Sequence, residues 1–265
     1  RRIRARAVVI ATGSRPVMPA WLDPVRKRTV STDELFELET LPHSVGILGL
    51  GAIGLEMGLA LSRLGVGVVA ADLAPTIAGI ADPEVGERAI AHFGEEMEMW
   101  LGAQTPVTPI GRGVRMRAGD READVELLLA ALGRRPNIDG LGMAEAGFPL
   151  DERGMPRFAP TTLQIGDLPV FIAGDANADR PLMHEAADEG AIAGFNAARG
   201  IPVRFARKVA LGIAFTDPDI ASVGARFDQL DPGQIVVGKA TGAANGRARI
   251  LEAQSSLLRV YADRR

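Results

Sequence analysis

Gly49, Gly51 and Gly54 stand between an apolar run at residues 45–50 and a run with helical spacing, and Asp72 closes the next apolar stretch. These residue types at this spacing can hold a dinucleotide. Gly49 permits a tight turn, Gly51 lets a pyrophosphate approach bare backbone, and Gly54 lets a helix pack closely on a sheet. A helix opening at Ala52, Ile53 and Gly54 points free amides and a positive dipole end at the phosphates. Leu50 and Leu55 complete that turn, and Glu56 follows it. Asp72, at the usual offset of about 20 residues, can accept hydrogen bonds from both hydroxyls of an adenosine ribose. Its charge repels a 2′-phosphate, and Leu73, Ala74, Pro75 and Thr76 offer no Arg or Lys to bind one, so NAD is favoured over NADP. The glycine pattern alone also suits a ligand-free strand–helix turn. The acid and the two flanking strands favour the dinucleotide.

The elements that must position these residues follow from periodicity. Residues 45–50 and 66–71 are rich in β-branched and aliphatic side chains, as buried parallel strands are. Ile53, Met57, Ala60, Leu61 and Leu64 give the intervening helix a sheet-facing stripe, and Gly65 is placed to end it. Upstream, residues 7–10 form a short strand that runs into Thr12, Gly13 and Ser14, and Pro16, Pro19 and Pro24 mark an extended connector. Ser31 or Thr32 caps a helix ahead of Leu35, Phe36 and Leu38. Asp82, Pro83 and Glu84 open another helix, with Val85, Ala89 and Phe93 as its apolar face. Residues 125–132 form a strand ending at Gly133, and residues 170–173 a strand ending at Gly174 and Asp175. A small-residue helix at 184–198 carries Ala187, Ala191 and Phe195 on one side. Beyond Gly200, short strands at 209–215, 221–223, 235–237 and 256–261 predict an antiparallel sheet in a separate α+β module.

Bulk properties narrow the function classes. With 265 residues and 47% hydrophobic side chains, two domains with ordinary cores are feasible. A formal charge of −3 leaves no footprint for nucleic acid or an anionic membrane. Arg1, Arg2, Arg4 and Arg6, and the bases at 112–121, read as solvated faces. No apolar run approaches the roughly 18 residues of a membrane span, and the start lacks a signal-peptide layout, so a cytoplasmic protein is expected. Cysteine is absent, which removes disulfides, thiolate metal sites and cysteine nucleophiles from these residues. His43, His92 and His184 are scattered without metal-ligand spacing, and no metal site is expected.

Two further strand ends lie outside the first glycine turn: Thr12-Gly13-Ser14 and Gly174-Asp175. Ligands bind at such strand ends in α/β sheets. Asp175 could hydrogen-bond a polyol, or it could cap the helix that follows. Taken together, these segments resemble the pyridine nucleotide–disulfide oxidoreductases, flavoproteins that carry FAD and NAD(P)H on two related domains. Residues 11–16 (ATGSRP) are similar to that family's first crossing between the FAD and NAD domains. Residues 131–137 (ALGRRPN) are similar to its second, with Gly133 backing the nicotinamide cofactor. Residues 172–175 (IAGD) are similar to its ribitol-binding turn, where the Asp holds a hydroxyl of FAD. Pro181, Leu182, Met183 and His184 fall where the family sets backbone amides and a helix N-terminus against the flavin, and Glu56 matches an acid near the nicotinamide–flavin contact. Residues 214–224 (AFTDPDIASVG) and 244–248 (ANGRA) resemble its C-terminal interface domain.

The resemblance implies an α/β fold with two dinucleotide-binding, Rossmann-like domains and a C-terminal α+β interface domain. Residues 1–40 would be a remnant of the FAD domain with its crossover, 41–138 the NAD domain, 139–200 the FAD-binding central segment, and 201–265 a partial dimerisation domain. It implies electron flow from a small dithiol such as a lipoyl group, free or carried on a protein, through an enzyme disulfide and FAD to NAD, in a homodimer. The family's FAD glycine motif and Cys-x4-Cys would lie upstream of Arg1 and its catalytic His–Glu pair downstream of Arg265, so no catalytic residue is assigned. The stretches 104–124 and 224–238 are shorter than the family's. A glutathione-reductase-like or mercuric-reductase-like enzyme, a soluble transhydrogenase, or a catalytically silent NAD-binding and dimerisation module fit the same residues. Asp72 disfavours the first.

Overall fold

The computed structural model describes residues 3–264. Arg1 and Arg2 of the basic cluster lie outside the described residues. The chain begins with β1 (Val8–Ile10), β2 (Ser14–Pro16), a 3-10 segment (Ala20–Arg28), β3 (Thr29–Ser31) and the short α1 (Thr32–Leu35). Then come β4 (Ser44–Leu48), α2 (Ala52–Arg63), β5 (Gly67–Asp72), α3 (Pro83–Phe93) and β6 (Glu98–Leu101). Strands β7 (Val107–Ile110), β8 (Gly113–Ala118), β9 (Arg121–Val125), β10 (Leu127–Ala130), β11 (Arg134–Pro136) and β12 (Val170–Ile172) precede α4 (Met183–Arg199). The last strands are β13 (Leu211–Ala214), β14 (Ile220–Val223), β15 (Ile235–Thr241) and β16 (Leu257–Asp263). These elements fall into two compact units. One holds the chain up to Arg15 with Arg134–Val209, the other Pro16–Gly133 with Ala210 onward.

The larger unit is built on a five-stranded parallel sheet of order β3-β10-β4-β5-β6. Alternation along the strands divides its core in two. Val45, Ile47 and Leu129 face one layer with Leu55 and Leu59 of α2 and Phe93 of α3. Leu48, Leu128 and Ala130 face the other with Leu22 and Val25 of the 3-10 segment and Val114 and Met116 of β8. The expected connector therefore contributes a strand. Leu22 and Val25 anchor it, and Thr29 donates its hydroxyl to the Val25 carbonyl at 3.0 Å. Ser31, one of the two caps the sequence offers, caps α1, and the Glu34 side chain accepts its amide in return.

Other elements shift register. The buried face of α2 is Gly54, Leu55, Gly58, Leu59 and Leu61, whereas Ile53 and Leu64 of the expected stripe are exposed. Residues 125–132 are not one strand. β9 pairs with β8 in an antiparallel sheet, and the chain changes sheet at Glu126 before β10. Residues 104–124, short as they are, build the three-stranded sheet β7-β8-β9. Its bases are solvated and paired, Arg115 with Asp124 at 2.7 Å and with Glu122 at 3.2 Å.

The C-terminal strands form two antiparallel hairpins, β13-β14 and β15-β16. The second is fastened to the N-terminus of α3. Asp82 caps that helix through the amides of Glu84 and Val85 and also accepts from Arg259 and the Tyr261 hydroxyl. Burial and that carboxylate push the Tyr261 phenol up to about 12. Among the described residues no helix is long and apolar enough to cross a membrane.

In the smaller unit β1 and β12 pair in parallel, Val8 opposite Val170 through Ile10 opposite Ile172. Helix α4 packs on this pair through Ile192 and Ala193, and β2 pairs with β11.

Candidate functional site

At the end of β4 the three glycines are required for different reasons. Gly49 has a φ of +96°, and a Cβ there would lie 2.4 Å from the Ala131 carbonyl oxygen. A Cβ on Gly54 would lie 1.9 Å from the Gly49 oxygen. Gly51 has nothing within 4 Å of its Cβ position. The outer two glycines are thus fixed by packing, and the middle one leaves open space over the start of α2. Gly51 is also the N-cap of that helix and supplies no side-chain acceptor, so the amides of the first turn stay open to a ligand. Leu50 and Leu55 bury their side chains in the core and could meet a ligand only through backbone. Ala52 is half-buried and Ile53 exposed beside them.

Asp72 ends β5 within reach of this turn. Its Oδ2 accepts the Leu50 amide at 2.6 Å and its Oδ1 the Ala74 amide at 2.8 Å. Each oxygen keeps a second acceptor position, which suits a ribose diol. Asp72 also lines a cleft of about 530 Å³ with Gly49, Leu73, Gln104, Thr105 and Val107. Trp21 lines the same cleft and is 52% exposed. Among the described residues no Arg or Lys lines it. Nothing in the sequence marks Trp21 as a cleft residue, because only the folded 3-10 segment brings it to this strand end.

Glu56 and Gly133 lie in the same unit. The Glu56 Oε1 accepts the Phe215 amide at 2.8 Å, joining α2 to the start of the C-terminal segment. Gly133 is exposed with a φ of +91°, and its carbonyl accepts the Val17 amide at 3.0 Å.

The smaller unit gathers the remaining predicted residues. Thr12, Gly13 and Ser14 follow β1, and Gly174 and Asp175 follow its neighbour β12. Ser14 donates its hydroxyl to Asp175 at 2.7 Å and accepts from Arg134 Nε at 2.8 Å. Asn137 donates its amide to Gly13 at 2.9 Å and its side chain to the Thr12 carbonyl at 3.1 Å. Asp175 caps no helix: the N-caps of the 3-10 turn Gly174–Asn177 and of α4 are Ala173 and Leu182, neither with a side-chain cap bond. The start of α4 is correspondingly open. Pro181, Met183 and His184 are exposed there and Leu182 half-buried.

The expected apolar side of α4 is a correction. Ala187 and Ala191 are exposed, and Phe195 is 43% exposed. The buried face holds Glu185, Glu189, Ile192, Ala193 and Asn196. Arg207 satisfies both acids, reaching Glu185 at 2.8 Å and Glu189 at 2.7 Å. Burial alone would raise the Glu185 carboxyl, but hydrogen bonds from Arg207 and Arg180 outweigh it and hold the group below its usual range.

Residues 1–190 match the family model described as pyridine nucleotide-disulphide oxidoreductase. The chain is 29% identical to dihydrolipoyl dehydrogenase from Trypanosoma brucei brucei over 99% of its own length and 57% of that protein's. It is 30% identical to dihydrolipoyl dehydrogenase 3 from Pseudomonas putida, over 98% and 58% respectively. It therefore spans less than two thirds of the length of these relatives. LpdA from Mycobacterium tuberculosis superposes with a TM-score of 0.82 at 26% identity, covering 97% of this chain and 57% of that one. The HOCl-induced flavoprotein disulfide reductase RclA from Escherichia coli gives a TM-score of 0.86 at 22% identity, covering 98% and 61%, and shows the shared fold.

Proposed function

This chain belongs to the pyridine nucleotide–disulphide oxidoreductase family, and from that premise we propose that it forms the NAD-binding body and part of the FAD-binding body of a dihydrolipoyl-dehydrogenase-like enzyme. The observation that carries the reading is an open Gly51 and an uncapped α2 next to Asp72, which holds the Leu50 amide at 2.6 Å and lines the adjoining cleft. Bound there and in the smaller unit, NAD and FAD would supply the two-electron chemistry that links a dithiol such as a lipoyl group to the pyridine nucleotide. The residues of this chain do the holding. Gly51 clears the approach, the α2 amides offset phosphate charge, Asp72 orients the ribose, and the apolar cleft walls exclude water from the base. In the smaller unit Gly13, Asp175 and the open start of α4 would hold the flavin, the helix end favouring negative charge. None of the 265 residues is Cys, so the reading assigns no thiol step to them. The proposed enzyme is a cytoplasmic homodimer, and the exposed Val236, Leu258 and Val260 of the second hairpin offer apolar area for association.

Calorimetry should show NAD binding in preference to NADP. Asp72→Ala combined with Leu73→Arg should relax that preference, since it removes a repulsion and adds a phosphate partner. Equal affinity for both nucleotides in the unmutated protein would sink the reading. Trp21→Ala should weaken NAD by about tenfold, the loss of one base–aromatic stack of roughly 1–3 kcal/mol, while binding of nicotinamide mononucleotide stays unchanged. A matching loss with the mononucleotide would place Trp21 elsewhere than at the adenine.

Asp175→Ala removes a charge-assisted hydrogen bond worth roughly 1.5–3 kcal/mol. Flavin affinity should therefore fall by about tenfold or more. Unchanged flavin content after dialysis at limiting FAD would count against a ribityl contact.

A further inference from the structure

Glu189 is fully buried, yet it carries a carboxylate. Its Oε2 accepts the Gly174 amide at 2.7 Å and the Asn177 side-chain amide at 2.7 Å. Its Oε1 takes Arg207 Nη2 at 2.7 Å. The same helix presses on Gly174 from a second direction, because a Cβ there would lie 3.1 Å from the Cβ of Ala186. The residue ahead of Asp175 is thus gripped at its amide and at its bare Cα, while Ser14 holds the Asp175 carboxylate from β2.

A buried ion pair is poor value as mere filling, since apolar residues of similar volume often stabilise a core at least as well. What an apolar residue cannot supply is an acceptor shared by the Gly174 backbone and the Asn177 side chain. We infer that Glu189 is a positioning residue, fixing the Gly174–Asn177 turn so that the Asp175 carboxylate is presented to a flavin hydroxyl, with Arg207 neutralising the charge this requires. The inference rests on the reading of Asp175 as a flavin contact. Glu189 does not touch the flavin in this arrangement and acts only through the turn.

The test is a double-mutant cycle on FAD affinity in the full-length protein, read by flavin fluorescence on titrating the apoprotein. Glu189→Gln loses the charge that organises three donors, and should weaken FAD by roughly fivefold or more. Combined with Asp175→Ala, it should add less than about twofold to the loss from Asp175→Ala alone. Should Glu189→Gln fail to fold, Asn177→Ala removes one of the same bonds without touching the ion pair, and the same non-additivity is expected of it. Full additivity, or unchanged FAD affinity in both Glu189→Gln and Asn177→Ala, would overturn the inference while leaving Asp175 as a flavin contact. An unchanged affinity in Asp175→Ala would overturn both.

Discussion

Gly54→Ala should lower the melting temperature by roughly 6 °C or more, whereas Gly51→Ala should leave it unchanged and cost nucleotide affinity instead. The two substitutions add the same methyl group three residues apart. At Gly54 the new Cβ meets the Gly49 carbonyl oxygen at 1.9 Å and the Gly49 carbonyl carbon at 3.0 Å. Both are backbone atoms, and Gly49 is itself held by its amide on the Ala71 carbonyl at 2.8 Å. Neither side can give way, so the cost lies at the upper end of overpacking, about 3 kcal/mol or more, at about 2–4 °C for each kcal/mol. Gly51 differs in every respect. Its φ of −61° and ψ of −176° are open to any residue, and its Cβ would meet nothing within 4 Å. The methyl would instead fill the space over the α2 amides that a pyrophosphate needs. Losing one charge-assisted hydrogen bond there, roughly 1.5–3 kcal/mol, lowers NAD affinity by about tenfold to a hundredfold. Thermal melting and calorimetry on the two variants separate the effects. Wild-type NAD affinity in Gly51→Ala would show that no phosphate comes near this turn.

That turn was legible in the sequence because its constraints fall on neighbouring residues. The same is true of the α1 start at Ser31 or Thr32 and of the α3 start at Asp82. The α2 register was not legible from its large side chains, which are apolar on several sides. Its glycines carried the signal: Gly54 and Gly58 lie on the buried face, and a Cβ on Gly58 would sit 2.8 Å from the Met97 sulfur. Asp72 was legible as the acid that closes its strand, but its bonds to Leu50 and Ala74 depend on where β4 and β5 end. β3 was hidden by its length and by the prolines around it, since Pro24 reads as a breaker yet sits inside a 3-10 helix. On α4 small alanines suggested the packed side, and Glu is ordinarily an exposed residue. The partner that reverses this, Arg207, comes from a later segment, and nothing local announces it.

Arg207→Met should destabilise the protein by about 3–5 kcal/mol at neutral pH and should reverse the sign of part of its pH dependence. Arg207 is the cation that reaches both buried acids of α4, at 2.8 Å and 2.7 Å. In the wild type the Glu185 carboxyl sits below its usual range. Burial opposes this, and the hydrogen bonds from Arg207 and Arg180 override it. A carboxyl depressed in the folded state contributes stability that is complete above its unfolded value of about 4.3. That contribution is lost as pH falls through the lower folded value. Acid therefore weakens the wild type. Methionine fills much of the arginine volume without its charge, so the variant keeps the packing and isolates the electrostatic loss. Glu185 retains Arg180 at 3.1 Å, while Glu189 is left with the Gly174 and Asn177 donors only. Protonating Glu189 then removes a buried charge that has no cation. Between neutral pH and the unfolded carboxyl value of about 4.3 the variant should gain stability relative to the wild type, the opposite slope. Urea unfolding of both proteins at several pH values across that window measures the difference directly. Parallel curves, or a variant as stable as the wild type at neutral pH, would mean that Arg207 does not neutralise this pair.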